Sequence, residues 1–276
     1  MLLWSVFALF CQPPVPPPPT SRNAGDVGDL LAPAIVSRLG GSLTRSGGEI
    51  TDPIQAIDLG RTFISDDDLA LVPALTRLES LDLRNTNATD ATLARLERFP
   101  ALAILSLAGT RITGAGLQSL TRCQNLRRLD LSGCSVSGGL SHLAKLPHLE
   151  ELRLPLVLLN AGDLNALADY PALRRLDLAY TGLEDDALAA LGRCKRLEVL
   201  DLRGNPLRGR TLAALAPLAK LRRIDVSCTR IGDRQIEGLA GLKELRELIA
   251  CYGRITEDGL AWLRENLPAC GCRLDE

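Results

Sequence analysis

The sequence predicts an α/β solenoid, a horseshoe of stacked coils with parallel strands on the concave side and short helices on the convex side. Three observations predict it. The last aliphatic residue of a short strand-like segment recurs at Leu59, Leu83, Leu107, Leu131, Leu154, Leu178, Leu202, Val226 and Ala250, every step being 24 residues except the 23 into Leu154. Two variable residues then precede Thr, Asn or Cys, at Thr62, Thr86, Thr110, Cys134, Thr181, Asn205 and Thr229. The apolar period next changes from two to about 3.6, as Leu69/Val72, Leu93/Leu96, Leu117/Leu120, Leu188/Leu191 and Leu212/Leu215 show, which is one short helix per unit with its apolar stripe on the strands. A single unit has too little apolar surface to fold, so neighbours must stack.

Taken along the chain, residues 1–25 come first: an apolar run, Leu2–Phe10, then Cys11 and a Pro-rich stretch, Pro13–Pro19. Nine residues are too few to cross a bilayer. They suit the apolar part of a secretion signal or lipid anchor, with the Pro-rich stretch as a stiff spacer. Two features oppose this: no Lys or Arg precedes the run, and Phe10 stands where a lipid-attachment signal has a small residue. Export or envelope anchoring is favoured over cytoplasmic residence. Residues 26–53 are expected to cap the array, 54–268 to form about nine repeats, and 269–276 to close it with a degenerate strand at Leu274. Ser65, Thr89, Thr113 and Thr256 stand where the chain enters a helix and are expected to cap it. The turn Thr, Asn or Cys is expected to hydrogen-bond to backbone inside the bend.

The repeating unit L-x-x-L-D-L-x-x-T-x-I-x-D-x-x-L-x-x-L-x-x-L resembles leucine-rich-repeat proteins of the ribonuclease-inhibitor-like superfamily. It is most similar to the 24-residue bacterial form found in planctomycetes. Ile35-Val36-Ser37-Arg38-Leu39-Gly40-Gly41 and Ile54-Gln55-Ala56-Ile57-Asp58-Leu59 are similar to the N-terminal cap of those proteins. The resemblance spans residues 30–276. It implies a leucine-rich-repeat fold and macromolecular recognition, with no particular partner.

Composition agrees with a scaffold. Aromatic residues make up 3% of the chain and formal charge is −1, so no global field recruits nucleic acid or anionic membrane. Four of the 32 basic residues are Lys, a skew that coding bias explains. Cys123 and Cys194 share a slot with Phe99, Tyr170 and Leu218 and read as core fillers, as does Cys134 in the turn slot. Cys228 and Cys251 belong to the inner face, Cys270 and Cys272 to the closing cap. A cap disulfide involving Cys251 is an alternative for an exported chain; a metal site at Cys270-Gly271-Cys272 lacks a second ligand pair. His142 and His148 read as surface residues, and Gly40-Gly41 and Gly138-Gly139 as turn punctuation. No hydrolase, metalloprotease, phosphate-loop or dinucleotide motif is present. The expectation is a non-enzymatic protein without catalytic residue, metal, cofactor or small-molecule substrate.

Binding residues are expected on the concave strands. The position between the strand leucines reads Asp58, Asp82, Ser106, Asp130, Arg153, Asp177, Asp201, Asp225 and Ile249. Adjacent aspartates repel, so Arg128, Arg175 and Arg223, two residues before an Asp, and Arg84 and Arg203, two after, are expected to offset them. This ladder is read either as a self-neutralising lattice or as a recognition strip. The unit at Leu154-Pro155-Leu156-Val157-Leu158-Leu159 departs from the pattern. Leu159 is expected inside, Leu156 and Leu158 outside near Tyr180. A non-polar island ringed by Arg153, Arg175 and Asp177 has the composition of a hot spot; its alternative is repacking around the missing residue. The binding candidates are Arg128, Arg153, Leu156, Leu158, Arg175, Asp177, Tyr180, Arg203 and, as a second group, Tyr252 with Ile249 and Glu247. The expected partner is a protein or peptide, the expected state a monomer. The alternative is an exported structural protein that binds cell-surface polymer or matrix.

Overall fold

The computed structural model describes residues 24–274 apart from 48, 50 and 51, with backbone alone for 24–26. The apolar N-terminal run and its Pro-rich spacer lie outside the described residues. Helix α1 (Ala24–Arg38) leads into β1 (Ser42–Arg45), which pairs antiparallel with β2 (Ile54–Asp58). Asp29 ties this entry together: its carboxylate accepts the Ile54 N–H at 3.1 Å and its carbonyl accepts from Arg45 at 2.9 Å.

From β2 onward every pairing is parallel and in register: β3 (Ser80–Asp82), β4 (Ile104–Ser106), β5 (Arg128–Asp130), β6 (Glu151–Arg153), β7 (Arg175–Asp177), β8 (Val199–Asp201), β9 (Arg223–Asp225), β10 (Glu247–Ile249) and β11 (Gly271–Arg273). The sheet is open, in strict sequence order. Short helices occupy the other side: α2 (Asp66–Leu71), α3 (Asp90–Arg95), α4 (Leu140–Leu143), α5 (Ala161–Ala166), α6 (Ala187–Leu191), α7 (Asp233–Ile236) and α8 (Glu257–Asn266). Two of the described units use 3₁₀ turns instead, Gly116–Arg122 and Leu212–Leu215. Between the layers lies one continuous core of leucines, with Phe99, Cys123, Tyr170, Cys194 and Leu218 buried in the shared slot. Cys134 is buried in the turn slot.

The buried turn residues satisfy the backbone of the bend. Thr86, Thr110, Thr181 and Thr229 each donate to the carbonyl of the last strand residue, at 2.6–2.8 Å. Asn205 spans two units, donating to the Leu178 and Leu202 carbonyls and accepting the Thr181 and Leu183 N–H groups. Val157 is buried in the same slot without a polar group.

Ser65, Thr89 and Thr256 cap α2, α3 and α8 as expected. Thr113 does not cap a helix: its turn begins at Ala115 without a side-chain cap, and its hydroxyl donates to Asp90 of the preceding unit. Asp66, Asp90 and Asp233 form the same bond, each accepting the N–H and hydroxyl of a Thr one unit on. These staples tie unit to unit on the side away from the strands.

The missing residue falls before α4, not at Leu154–Leu159. Val136 and Leu140 are both buried but stand four apart, where their counterparts Ile112 and Leu117 stand five apart. Glycine is required at this short turn: a Cβ on Gly139 would lie 2.3 Å from the Gly114 carbonyl oxygen. No side chain of its own caps α4. Asp163 does so from the next unit, accepting from Gly138, Leu140 and Ser137 while its second role closes a capping box with Asn160. Tyr170 adds a 2.7 Å bond to the Leu140 carbonyl. Leu159 packs against the core but is only half-buried, not buried as expected.

Candidate binding surface

Each strand ends in the same turn, which explains the Asp series. Asp58, Asp82, Asp130, Asp177, Asp201 and Asp225 accept, through Oδ1, the N–H two residues on, at 2.8–3.1 Å. The aspartates are thus turn-closing acceptors. Where Arg153 interrupts the series, the residue two on is Pro155, which has no N–H to satisfy.

One step further along, in each of the nine units from Leu59 to Ala250, the backbone is left-handed. Its occupants are Arg61, Asn85, Gly109, Gly133, Leu156, Tyr180, Gly204, Cys228 and Tyr252. A ladder accompanies it: from Arg61 to Cys228 the N–H at this position donates to a carbonyl of the next unit, as Leu156 does to Ala179 at 3.0 Å and Tyr180 to Arg203 at 2.8 Å. Glycine takes this conformation freely, whereas other residues lose roughly 1–2 kcal/mol there. Leu156 (φ 61°), Tyr180 (φ 56°) and Tyr252 (φ 52°) occupy it with bulky apolar groups, and these are 68%, 49% and 74% exposed. Leu158 is 80% exposed beside them. The Tyr180 ring lies over Gly204, whose Cβ position would be 2.2 Å from Cε1.

Ion pairs cross the strands. Arg153 lies 3.6 Å from both Asp130 and Asp177. Arg84 and Arg203 pair with Asp82 and Asp201, as expected. Arg128 and Arg223 do not offset the aspartates of their own strands; they reach Glu151 at 3.7 Å and Glu247 at 3.1 Å. Arg175 pairs with no carboxylate among the described residues. For Arg128 and Arg223 the spacing explains the choice, since a partner on the adjacent strand is about 4.8 Å away and one two residues along the same strand about 6.6 Å; it does not explain Arg175, whose in-register neighbour is Glu151. These partly exposed pairs contribute roughly 0–1 kcal/mol each.

Arg153, Arg175 and Asp177 line one groove of about 220 Å³, together with Glu151, Val199, Asp201, Arg223 and Asp225. Arg128 lines a second of about 230 Å³ that shares Glu151 and Arg153 with the first. Leu156, Leu158 and Tyr180 stand at the rim where β6 and β7 end. Arg203 sits beyond Asp201. Tyr252 stands three units from Tyr180 and belongs to neither groove. Val199, Asp201 and Asp225 were missed as groove residues, although register with Arg175 and Asp177 places them there.

Burial raises the Asp201 carboxyl above its ordinary range, and the neighbouring charges of Asp177 and Asp225 add to this. Ionised Asp201 therefore weakens the fold above its raised value, and this cost disappears below the unfolded value of about 4. Asp201→Asn retains Oδ1 as the turn acceptor. It is expected to match or exceed the wild type in urea midpoint at pH 7, with the advantage shrinking at pH 4. A variant relatively weaker at pH 7 than at pH 4 contradicts this account.

Burial also pushes the Cys123 and Cys194 thiols up to about 11, so neither forms a nucleophilic thiolate near neutral pH. Cys272, in the closing strand, is likewise pushed to about 11, by burial first and then by Cys270 and Cys251. Cys270 and Cys272 carry free thiols. Among the described residues no group of three or more His, Cys, Asp or Glu converges as a metal site would, and no helix is long and apolar enough to cross a membrane.

A family model described as Leucine Rich Repeat matches residues 125–146 and 196–218. The fold is a leucine-rich-repeat solenoid. Solved structures with this solenoid include an internalin from Listeria monocytogenes, 16% identical, with a TM-score of 0.50 over 92% of this chain and 93% of that one. A leucine-rich-repeat protein from Leptospira interrogans is 20% identical, with a TM-score of 0.56 over 79% of this chain and 60% of that one. No curated protein matches the sequence. At such identities the likeness describes the solenoid's architecture alone.

Proposed function

We propose that this solenoid is a non-enzymatic scaffold that binds a protein or peptide on its concave face, with 26–53 as N-terminal cap and 269–276 as closing strand. We read its units as the 24-residue bacterial form of the ribonuclease-inhibitor-like repeat. One observation carries the binding site: adjacent units place exposed Leu156 and Tyr180 in a backbone slot that favours glycine. Strain retained at an exposed bulky residue points to use. Leu158 extends the apolar surface, and Arg153, Arg175 and Asp177 supply a polar border, the make-up of a hot spot with its rim. Arg guanidinium groups at Arg128, Arg153, Arg175 and Arg203 suit planar carboxylates of a partner.

The missing residue lies at the Ser137–Gly139 turn, one unit before Leu156 and Leu158, which favours recognition over local repacking as the reason for their exposure. Tyr252 is a second contact point on the same rim. In affinity purification from the host's own extract, a partner recovered by the wild type is expected to fall at least about tenfold with Leu156→Asp/Tyr180→Ala. Equal recovery by both proteins removes the site.

A further inference from the structure

Internal pairing uses most of the charge in the groove lined by Arg153, Arg175 and Asp225. Glu151 is held by Arg128, Asp177 by Arg153, Asp201 by Arg203, and Arg223 by Glu247. Two groove charges have no ion pair among the described residues, Arg175 and Asp225. Asp225 is the sharper case. It is 8% exposed, its Oδ1 accepts the Ser227 N–H at 2.8 Å, and no cation among the described residues pairs with it. A carboxylate withdrawn from water without a counter-charge is disfavoured. Its in-register neighbour is another carboxylate, Asp201, whose own raised carboxyl reflects burial and the charges on either side. A cation placed between the two would relieve both.

The groove is therefore polarised. Asp177, Asp201 and Asp225 occupy successive rungs about 4.8 Å apart. Arg175 stands two residues before Asp177 on the same face, with Val199 beside it as apolar floor. Arg175 and Asp225 mark opposite corners, on the order of 10 Å apart.

We propose that this groove receives a basic side chain of the partner between Asp201 and Asp225, while an acidic side chain of the same segment meets Arg175. The occupant is a protein segment carrying a basic and an acidic residue on the order of 10 Å apart, one charge for each left unpaired. This rests on the concave-face reading and specifies the chemistry of what binds there.

Dye-labelled hexalysine and hexaglutamate peptides, titrated into the full chain at low salt and read by fluorescence anisotropy, test it. Hexalysine is expected to bind more tightly than hexaglutamate and to weaken about tenfold or more with Asp201→Asn/Asp225→Asn. Both substitutions keep the Oδ1 acceptor of the turn; if the pair melts early, Asp225→Asn alone is read, with the same loss expected. Arg175→Gln is expected to abolish the residual hexaglutamate binding and leave hexalysine bound. Hexalysine affinity unchanged by the Asp substitutions, tighter hexaglutamate, or no hexalysine binding overturns the proposal. If the peptides fail while Leu156→Asp/Tyr180→Ala still releases a partner, the concave-face reading survives and this inference does not.

Discussion

Asp163→Ala is expected to destabilise the solenoid by about 3 kcal/mol or more. The carboxylate is 2% exposed and serves two units together. It accepts the Gly138 N–H at 2.9 Å, the Leu140 N–H at 3.4 Å, the Ser137 hydroxyl at 3.3 Å and the Asn160 N–H at 3.2 Å. Among the described residues no cation pairs with it; these donors balance its charge. Alanine orphans three backbone N–H groups where the chain is one residue short and α4 has no cap of its own. Asp163→Asn is expected to recover only part of the loss, since one acceptor oxygen becomes an NH₂ facing other donors. Hydrogen exchange at the Gly138 and Leu140 amides, with a urea titration, measures this. A loss below about 1 kcal/mol, with both amides still protected, contradicts the assignment.

Leu156→Gly and Tyr180→Gly are expected to separate stability from recognition. Glycine relieves the left-handed backbone, offset by the greater freedom of the unfolded chain, so each variant should hold its stability or gain up to about 1 kcal/mol. Binding should move the other way, by about 2 kcal/mol or more for each residue of the hot spot. Tyr180 carries the clearer expectation, because its ring already rests on Gly204 and binds without further ordering. Urea midpoints and partner recovery, measured together, decide this. If both fall, these side chains hold the fold together and the recognition role is lost.

Much of this architecture was readable from leucine spacing. The ruler from Leu59 to Ala250 gave the strands, because one missed step would have turned a whole rung inside out. Glycine at 109, 133 and 204 recurs two residues after the ruler positions, a visible sign of the left-handed slot. Leu156, Tyr180 and Tyr252 could have been identified as strained from that alone. Pro155 likewise explains why its unit tolerates Arg153. Other features depended on contact. Asp163 looks like an ordinary first-turn residue until the fold brings it to Gly138, 25 residues earlier. The choice of Arg128 and Arg223 for glutamates on the next strand was hidden too, since sequence separation favours partners two residues away and the sheet favours the neighbouring rung.

The left-handed turn has a further consequence for engineering. From Arg61 to Cys228 its N–H bonds to the next coil, so the side chain there can vary without breaking that bond wherever its neighbour in the row leaves room. Positions 61, 85, 109, 133, 156, 180, 204, 228 and 252 form a row along one edge, in which Tyr180 covers Gly204 and Asn85 crowds Gly109. Converting Gly133 to tyrosine, where an added Cβ meets nothing closer than 4.0 Å, would extend the row of exposed apolar groups at about 1–2 kcal/mol, and Tyr252→Gly would shorten it; Gly109 is less open, its Cβ position lying 2.3 Å from Asn85 Oδ1. On the proposed binding surface, single substitutions at the open positions would change what is displayed while the strands stay as they are.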